Sequence, residues 1–162
     1  MQVAIISDIH DNLANLDIFL NFIQDQNISV IICAGDLTSF ETMKILSNKF
    51  HGKIYLVRGN GDFFTERDVF LLKNIIFLDR VGNFELFDRK IGLCHESFLI
   101  SKCLEKKCDY IFYGHSHKPW IDERNNYKII NPGNLAGVRF RASFALWDFE
   151  KNIFNLKILD QI

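Results

Sequence analysis

Proline is nearly absent, at two residues in 162, and neither sign of charge dominates: 19 Lys and Arg stand against 20 Asp and Glu, a net charge of −1 with His neutral. A surface built to neutralise nucleic-acid phosphates shows as an excess of Lys and Arg. No stable nucleic-acid complex is therefore expected, although a small nucleotide remains admissible. No apolar run reaches the ~18 residues that a spanning helix needs, and no basic segment precedes the apolar N-terminal stretch. That stretch reads as a strand rather than a signal peptide, so no membrane partner and a cytoplasmic location are expected. There is no Cys-x-x-Cys pair among Cys33, Cys94, Cys103 and Cys108. Reduced, mostly buried thiols are expected instead. What is present is ordinary globular composition, 48% hydrophobic and 24% charged, with 16 Phe for an aromatic core. That balance excludes disorder. The length fits a single domain over 1–162. Oligomeric state is not legible, and a homo-oligomer is compatible with the sequence.

The first half alternates strands and helices. Residues 2–7 are apolar, as in a strand buried on both faces. Asp11 or Asn12 can cap a helix whose face carries Leu16, Phe19, Leu20 and Ile23, with Asn27 at its end. A strand over 28–34, a helix over 39–50 and a strand over 53–58 follow. This order predicts a parallel sheet with right-handed crossovers. The second half is richer in short strands, at 75–78, 83–87, 90–94, 110–113, 119–124, 127–130, 141–149 and 152–159, with a helix near 98–107. Asp88–Arg89 and Asn125–Asn126 read as tight turns. The chain is read as α/β, two packed sheets with helices outside.

Polar, metal-competent residues stand directly after the strands. The first strand ends in Asp8-Ile9-His10, the second in Gly35-Asp36, the third in Gly59-Asn60-Gly61-Asp62. Later strands end in Cys94-His95 and in Gly114-His115-Ser116-His117, so four of the five histidines lie in these segments. Ligands of open α/β sheets bind beyond the carboxyl ends of the strands, where all five segments would meet. Two divalent cations roughly 3.5–4 Å apart can clamp a phosphate and activate water. Holding them needs a bridging carboxylate, with imidazole, carboxylate or amide ligands around it. The glycines before Asp36, Asn60 and His115 are expected to supply sharp turns with positive φ. Each segment alone is an ordinary turn; the order and strand-end placement of all five point to a metal site.

This pattern, D-x-H, GD, GN-x-D, H and GH-x-H from Asp8 to His117, resembles the calcineurin-like metallophosphoesterase superfamily, in its small single-domain, phosphodiesterase-like branch. Asn131-Pro132-Gly133 looks like a turn of the same branch. The resemblance implies a four-layer αββα sandwich, two packed mixed β-sheets flanked by α-helices. It implies that Asp8, His10 and His117 hold one metal, that Asn60, His95 and His115 hold a second, and that Asp36 bridges both. A metal-bridging hydroxide would then be the nucleophile of a phosphodiesterase or phosphatase, with no side chain in that role. Asp62 would support the second-metal loop by hydrogen bonding, and Asn12 would touch substrate. The metals implied are Mn, Fe, Zn or Ni, because an all-O,N ligand set fits each.

Two positions depart from the pattern. Gly61 stands where many members carry a His that can protonate the leaving group, and Glu96 stands where a Gly usually follows the fourth-block His. Arg139 and Arg141 can offer guanidinium forks to a substrate phosphate. Phe63, next to Asp62, can wall a substrate pocket, and the other Phe-rich stretches read as core. The substrate expected is a small phosphate ester or nucleotide. A second reading is a non-catalytic protein-interaction scaffold resembling the retromer subunit of this branch, and a third is a nuclease. Competent side chains at all seven ligand positions favour the enzyme over the scaffold. The charge balance disfavours the nuclease.

Overall fold

Two mixed sheets lie face to face in the computed structural model, which describes residues 2–26 and 28–162. The chain runs β1 (Gln2–Ile6), α1 (Leu13–Asp25), β2 (Val30–Cys33), α2 (Phe40–Lys49), β3 (Lys53–Leu56), α3 (Glu66–Phe70) and β4 (Ile75–Phe77). It continues through β5 (Val81–Leu86), β6 (Arg89–Cys94), α4 (Ile100–Glu105), β7 (Tyr110–Phe112), β8 (Trp120–Glu123), β9 (Lys128–Asn131), β10 (Ser143–Asp148) and β11 (Ile153–Ile158). The first sheet is ordered β11-β10-β1-β2-β3-β4, with β1 to β4 parallel and β10 antiparallel to β1. The second is ordered β5-β6-β7-β9-β8, parallel from β6 through β9 with antiparallel outer pairs.

Strand alternation sorts the apolar residues into layers. Ala4, Ile6, Ile31 and Leu56 face outward onto Leu16, Phe19 and Ile23 of α1 and Met43 and Leu46 of α2. Val3, Ile5 and Ile32 face inward onto Ile91, Phe112 and Ile130 of the second sheet. Trp147, fully buried and stacked on Phe154, fills the space between the sheets. Burying such a side chain is worth roughly 2–3 kcal/mol. Leu99 and Cys103 pack the segment around α4 onto the outer face of the second sheet. The layers are therefore helix, sheet, sheet, helix.

Local chemistry sets the helix starts. The Asn12 carboxamide oxygen accepts from Asn15 N, and Ser39 Oγ accepts from Thr42 N. Asn27, the expected end of α1, lies outside the described residues. Several expectations need correction. The β5–β6 turn is centred on Phe87 and Asp88, both at positive φ, and Arg89 already pairs with Leu86. Two left-handed residues in a row match the twist of a hairpin. α3 was not legible, because its five residues are too few to show periodicity. The strand at 75–77 joins the first sheet, parallel to β3. Phe70, Phe98 and Phe140 are exposed rather than core. All four cysteines are free and buried.

Candidate metal centre

The five strand-end segments converge on Asp8 and Asp36. Asp8 is fully buried, and its Oδ2 accepts from Ser7 Oγ at 2.6 Å and His115 N at 3.0 Å. Its Oδ1 lies 3.2 Å from His117 Nε2, 3.6 Å from His10 Nε2 and 4.0 Å from His95 Nε2. Asp36 Oδ1 accepts from Gly61 N at 2.7 Å, while Oδ2 lies 3.3 Å from His95 Nε2 and 3.7 Å from His10 Nε2. Two groups thus have metal-ligand spacing, Asp8–His10–His117 and Asp8–Asp36–His95. Asp8 belongs to both, and Asp36 reaches a histidine of each.

The imidazoles are oriented from behind. Ala34 O lies 2.7 Å from His95 Nδ1, and Val138 O lies 3.2 Å from His117 Nδ1. A carbonyl only accepts, so each Nδ1 carries a proton, and each Nε2 faces the carboxylates as the atom a cation would take. Asp8 Oδ1 and His95 Nε2 are buried without a hydrogen-bond partner among the described residues. Leaving such atoms orphaned costs about 1–3 kcal/mol each, and a bound cation would satisfy both. The residues fit a metal.

Charge follows the same geometry. Burial opposes charge on Asp8 and Asp36, but the facing histidines outweigh it and hold both carboxyls below their usual range. Burial likewise opposes charge on His95, yet Asp36 and Asp8 prevail and raise its pKa to about 9. Asp8 raises that of His117, with Arg139 opposing.

The other expected ligands sit at the rim. The His115 ring lies 5.2 Å from that of His95 and is exposed, as is Asn60 on the loop beside Asp36. Asp62 accepts from Thr38 N at 2.7 Å, Gly59 N at 2.8 Å and Asp36 N at 3.1 Å, and so ties the second and third segments together. Asn12 caps α1 and donates to Ala136 O at 3.0 Å. Arg139 is exposed beside the carbonyl that orients His117, whereas Arg141 pairs with Asp160. Glu96 is held by Arg80 at 2.5 Å. Phe63 is exposed, and Phe64 is core.

The glycine expectation is only partly met. Gly35 has φ +92°, but Gly59 and Gly114 do not lie in the left-handed region. Their reason is space, because a Cβ would collide with Asp36 Oδ1 at one and Ser7 Oγ at the other. Five of the ligand candidates are themselves left-handed: Asp8, His10, Asp36, His115 and His117 all have φ between 46° and 64°. Such strain costs of order 1 kcal/mol per residue and gathers at functional sites.

Four supporting residues were missed in the sequence. Ser7 orients Asp8, and Asp11 accepts from Ser39 and Thr42 at the start of α2. Asn131 holds Gly114 O at 2.8 Å, and Asn134 holds His117 O at 3.1 Å. The Asn-Pro-Gly-Asn run was the available signal for the last two.

Comparison with known proteins agrees with this architecture. Residues 1–152 match the calcineurin-like phosphoesterase superfamily domain. A phosphodiesterase of Methanocaldococcus jannaschii is 29% identical over 143 residues, covering 85% of this chain and 86% of its own. A solved archaeal phosphodiesterase superposes with a TM-score of 0.85 at 24% identity, over 98% of this chain and 99% of that one. Vps29 of Entamoeba histolytica, complexed with zinc, shares the fold with a TM-score of 0.71 at 21% identity, over 96% and 90% of the two chains. With two mixed sheets, a strand-end cluster of Asp and His, and a family match over nearly its whole length, the chain belongs to the calcineurin-like phosphoesterase superfamily.

Proposed function

We propose that the chain, as one domain over 1–162, is a phosphodiesterase or phosphatase acting on small phosphate esters or nucleotides with two divalent cations, manganese in first place. The observation that carries the reading is the pair of overlapping ligand groups with Asp8 in common. Asp8, His10 and His117 would hold one cation, and Asn60, His95 and His115 the other, with Asp36 between them. When bound, such a pair supplies a nucleophile from water at neutral pH and offsets charge on the phosphate.

The chain's own residues do the rest. Ser7 and His115 N fix the Asp8 carboxylate by its outer oxygen. Asp62 keeps the Asp36 and Asn60 loops in register through three backbone N–H groups. Arg139, exposed next to His117, would bind a non-bridging phosphate oxygen. Exposed Phe63 offers an apolar wall to the leaving group. Gly61 has no side chain to donate a proton, which suits substrates whose leaving group departs as an anion.

The test is a panel of aryl phosphodiesters, aryl monoesters and nucleotides assayed with Mn, Fe, Zn and Ni in turn. The reading expects metal-dependent turnover of at least one class. A folded protein that binds metal without turnover would favour the scaffold reading.

A further inference from the structure

Two loops beside the Asp8–His10–His117 group are held together. Asn12 donates to Ala136 O at 3.0 Å and Asn15 to Leu135 O at 2.6 Å, so the start of α1 abuts the segment between β9 and β10. Within that segment Gly137, Val138, Arg139 and Phe140 form an exposed run. Val138 O is the carbonyl that orients His117. Gly137 and Arg139 are both left-handed, at φ 73° and 66°. For arginine that backbone is strained, and such strain gathers at functional sites. Apolar side chains flank it in solvent: Val138 is 49% exposed, Phe140 42%, and Leu13, the first residue of α1, 42%. An exposed apolar residue by itself is ordinary. Here three stand on two joined loops, with a strained arginine between two of them and a candidate metal ligand behind.

Any organic group on a phosphate held at the centre must leave over its rim, and the rim has two apolar sides. Phe63 stands on the third segment with Asn60, its N–H on Thr38 O. Leu13, Val138 and Phe140 stand instead beside His10 and His117. Resting on the phosphodiesterase reading above, we propose that the ester group retained by the phosphate is a long apolar chain. The substrate class is then a phosphodiester of an alkyl- or acyl-bearing alcohol, with the chain on Leu13, Val138 and Phe140 and Arg139 on a phosphate oxygen. Basic beside apolar side chains is the pattern that meets an amphiphile with an anionic head. Leu13 and Val138 bury methylenes well, whereas a nucleobase takes an aromatic face and hydrogen bonds that neither offers.

The experiment is a series with one leaving group: the p-nitrophenyl methyl, butyl and octyl phosphates, assayed with Mn below the concentrations at which the esters aggregate. Hydrolysis forms a P–O bond to the oxygen of water and breaks the one to p-nitrophenolate. The two protons of water pass to solvent, and the chain stays on the phosphate. A fully buried methylene is worth roughly fourfold in binding. The octyl ester is therefore expected to exceed the methyl ester in kcat/KM by at least about thirtyfold, with its chain half covered. The gain should lie in KM, because a chain remote from the reacting bond binds ground and transition states alike. Leu13→Ser and Phe140→Ser should each lower the octyl-to-methyl ratio at least about threefold, and together at least about tenfold. Ile153→Ser is the control. It opposes Asp148, which opposes Gln2 at the far end of β1, and it should leave the ratio within about twofold. Circular dichroism checks folding throughout. A flat series with good turnover of the methyl ester would overturn this inference and leave the phosphodiesterase reading standing. So would a steep series indifferent to Leu13→Ser and Phe140→Ser, or a p-nitrophenyl ester of thymidine monophosphate cleaved faster than the octyl ester. No turnover of any ester by folded, Mn-loaded protein would overturn both.

Discussion

Gly114 lies so close to Ser7 that a Cβ on it would collide with the Ser7 hydroxyl, the same hydroxyl that donates to Asp8 at 2.6 Å. The histidine loop and the first strand end are thus held in contact by the lack of a side chain.

Gly114→Ala is therefore expected to cost about 3 kcal/mol of stability, in the upper range for overpacking. It should also weaken metal binding, because Ser7 and Asp8 must both move. Urea unfolding read alongside Mn titration checks this. An unchanged midpoint with unchanged affinity would contradict the contact.

Asp36→Ala removes the carboxylate whose Oδ2 faces both His10 and His95 and whose Oδ1 orders the Gly61 loop. Activity is expected to fall at least about 1,000-fold, in keeping with loss of two-cation chemistry. Steady-state kinetics at saturating Mn give the answer. Retention of more than about a tenth of activity would contradict the role of Asp36.

Metal affinity should rise with pH. His95 has its pKa raised to about 9 from an ordinary 6.5. In the metal-free protein the stabilisation from its charged form is fully present below 6.5 and is lost as pH rises through about 9. A cation accepts only the neutral ring, so binding near pH 7 must release that proton. Calorimetry in two buffers of different ionisation enthalpy should show at least about one proton released per chain, and a Kd for Mn that tightens up to about pH 9. A pH-independent Kd with no proton release would contradict the His95 assignment.

Leaving groups should matter strongly. General acid catalysis is worth ~100- to 10,000-fold, and Gly61 cannot supply it. Log kcat/KM is expected to fall steeply as leaving-group pKa rises, and Gly61→His to flatten that slope by helping alkyl esters more than aryl ones. A Cβ at Gly61 would sit 3.2 Å from both Asp36 oxygens, so the ring enters beside the centre at the cost of a small shift. A flat slope in the wild type would show that another group donates the proton.

Much of this was legible in the chain because strand ends announce themselves. Asp8, Asp36, His95 and His117 each follow an apolar run by one or a few residues, so a parallel-sheet reading brings them to one edge without knowledge of packing. Their backbone conformation was not legible: Asp and His adopt left-handed φ more readily than most residues, but nothing in the chain marks which of them do so, as Asp8 and His117 do here. α3 escaped because one and a half turns show no period, and the Phe87–Asp88 turn because phenylalanine is an unusual residue at positive φ. The capping task of Asn12 was legible, and its contact with Ala136 was not, since 124 positions separate them.

The central claim is that Asp8 and Asp36 organise two cation sites in one chain. Its most direct test is metal content after loading with Mn and desalting, measured by elemental analysis against protein concentration. The account predicts close to two Mn per folded chain, and close to one or fewer after Asp36→Ala. A wild-type value of one or zero in folded protein would contradict it.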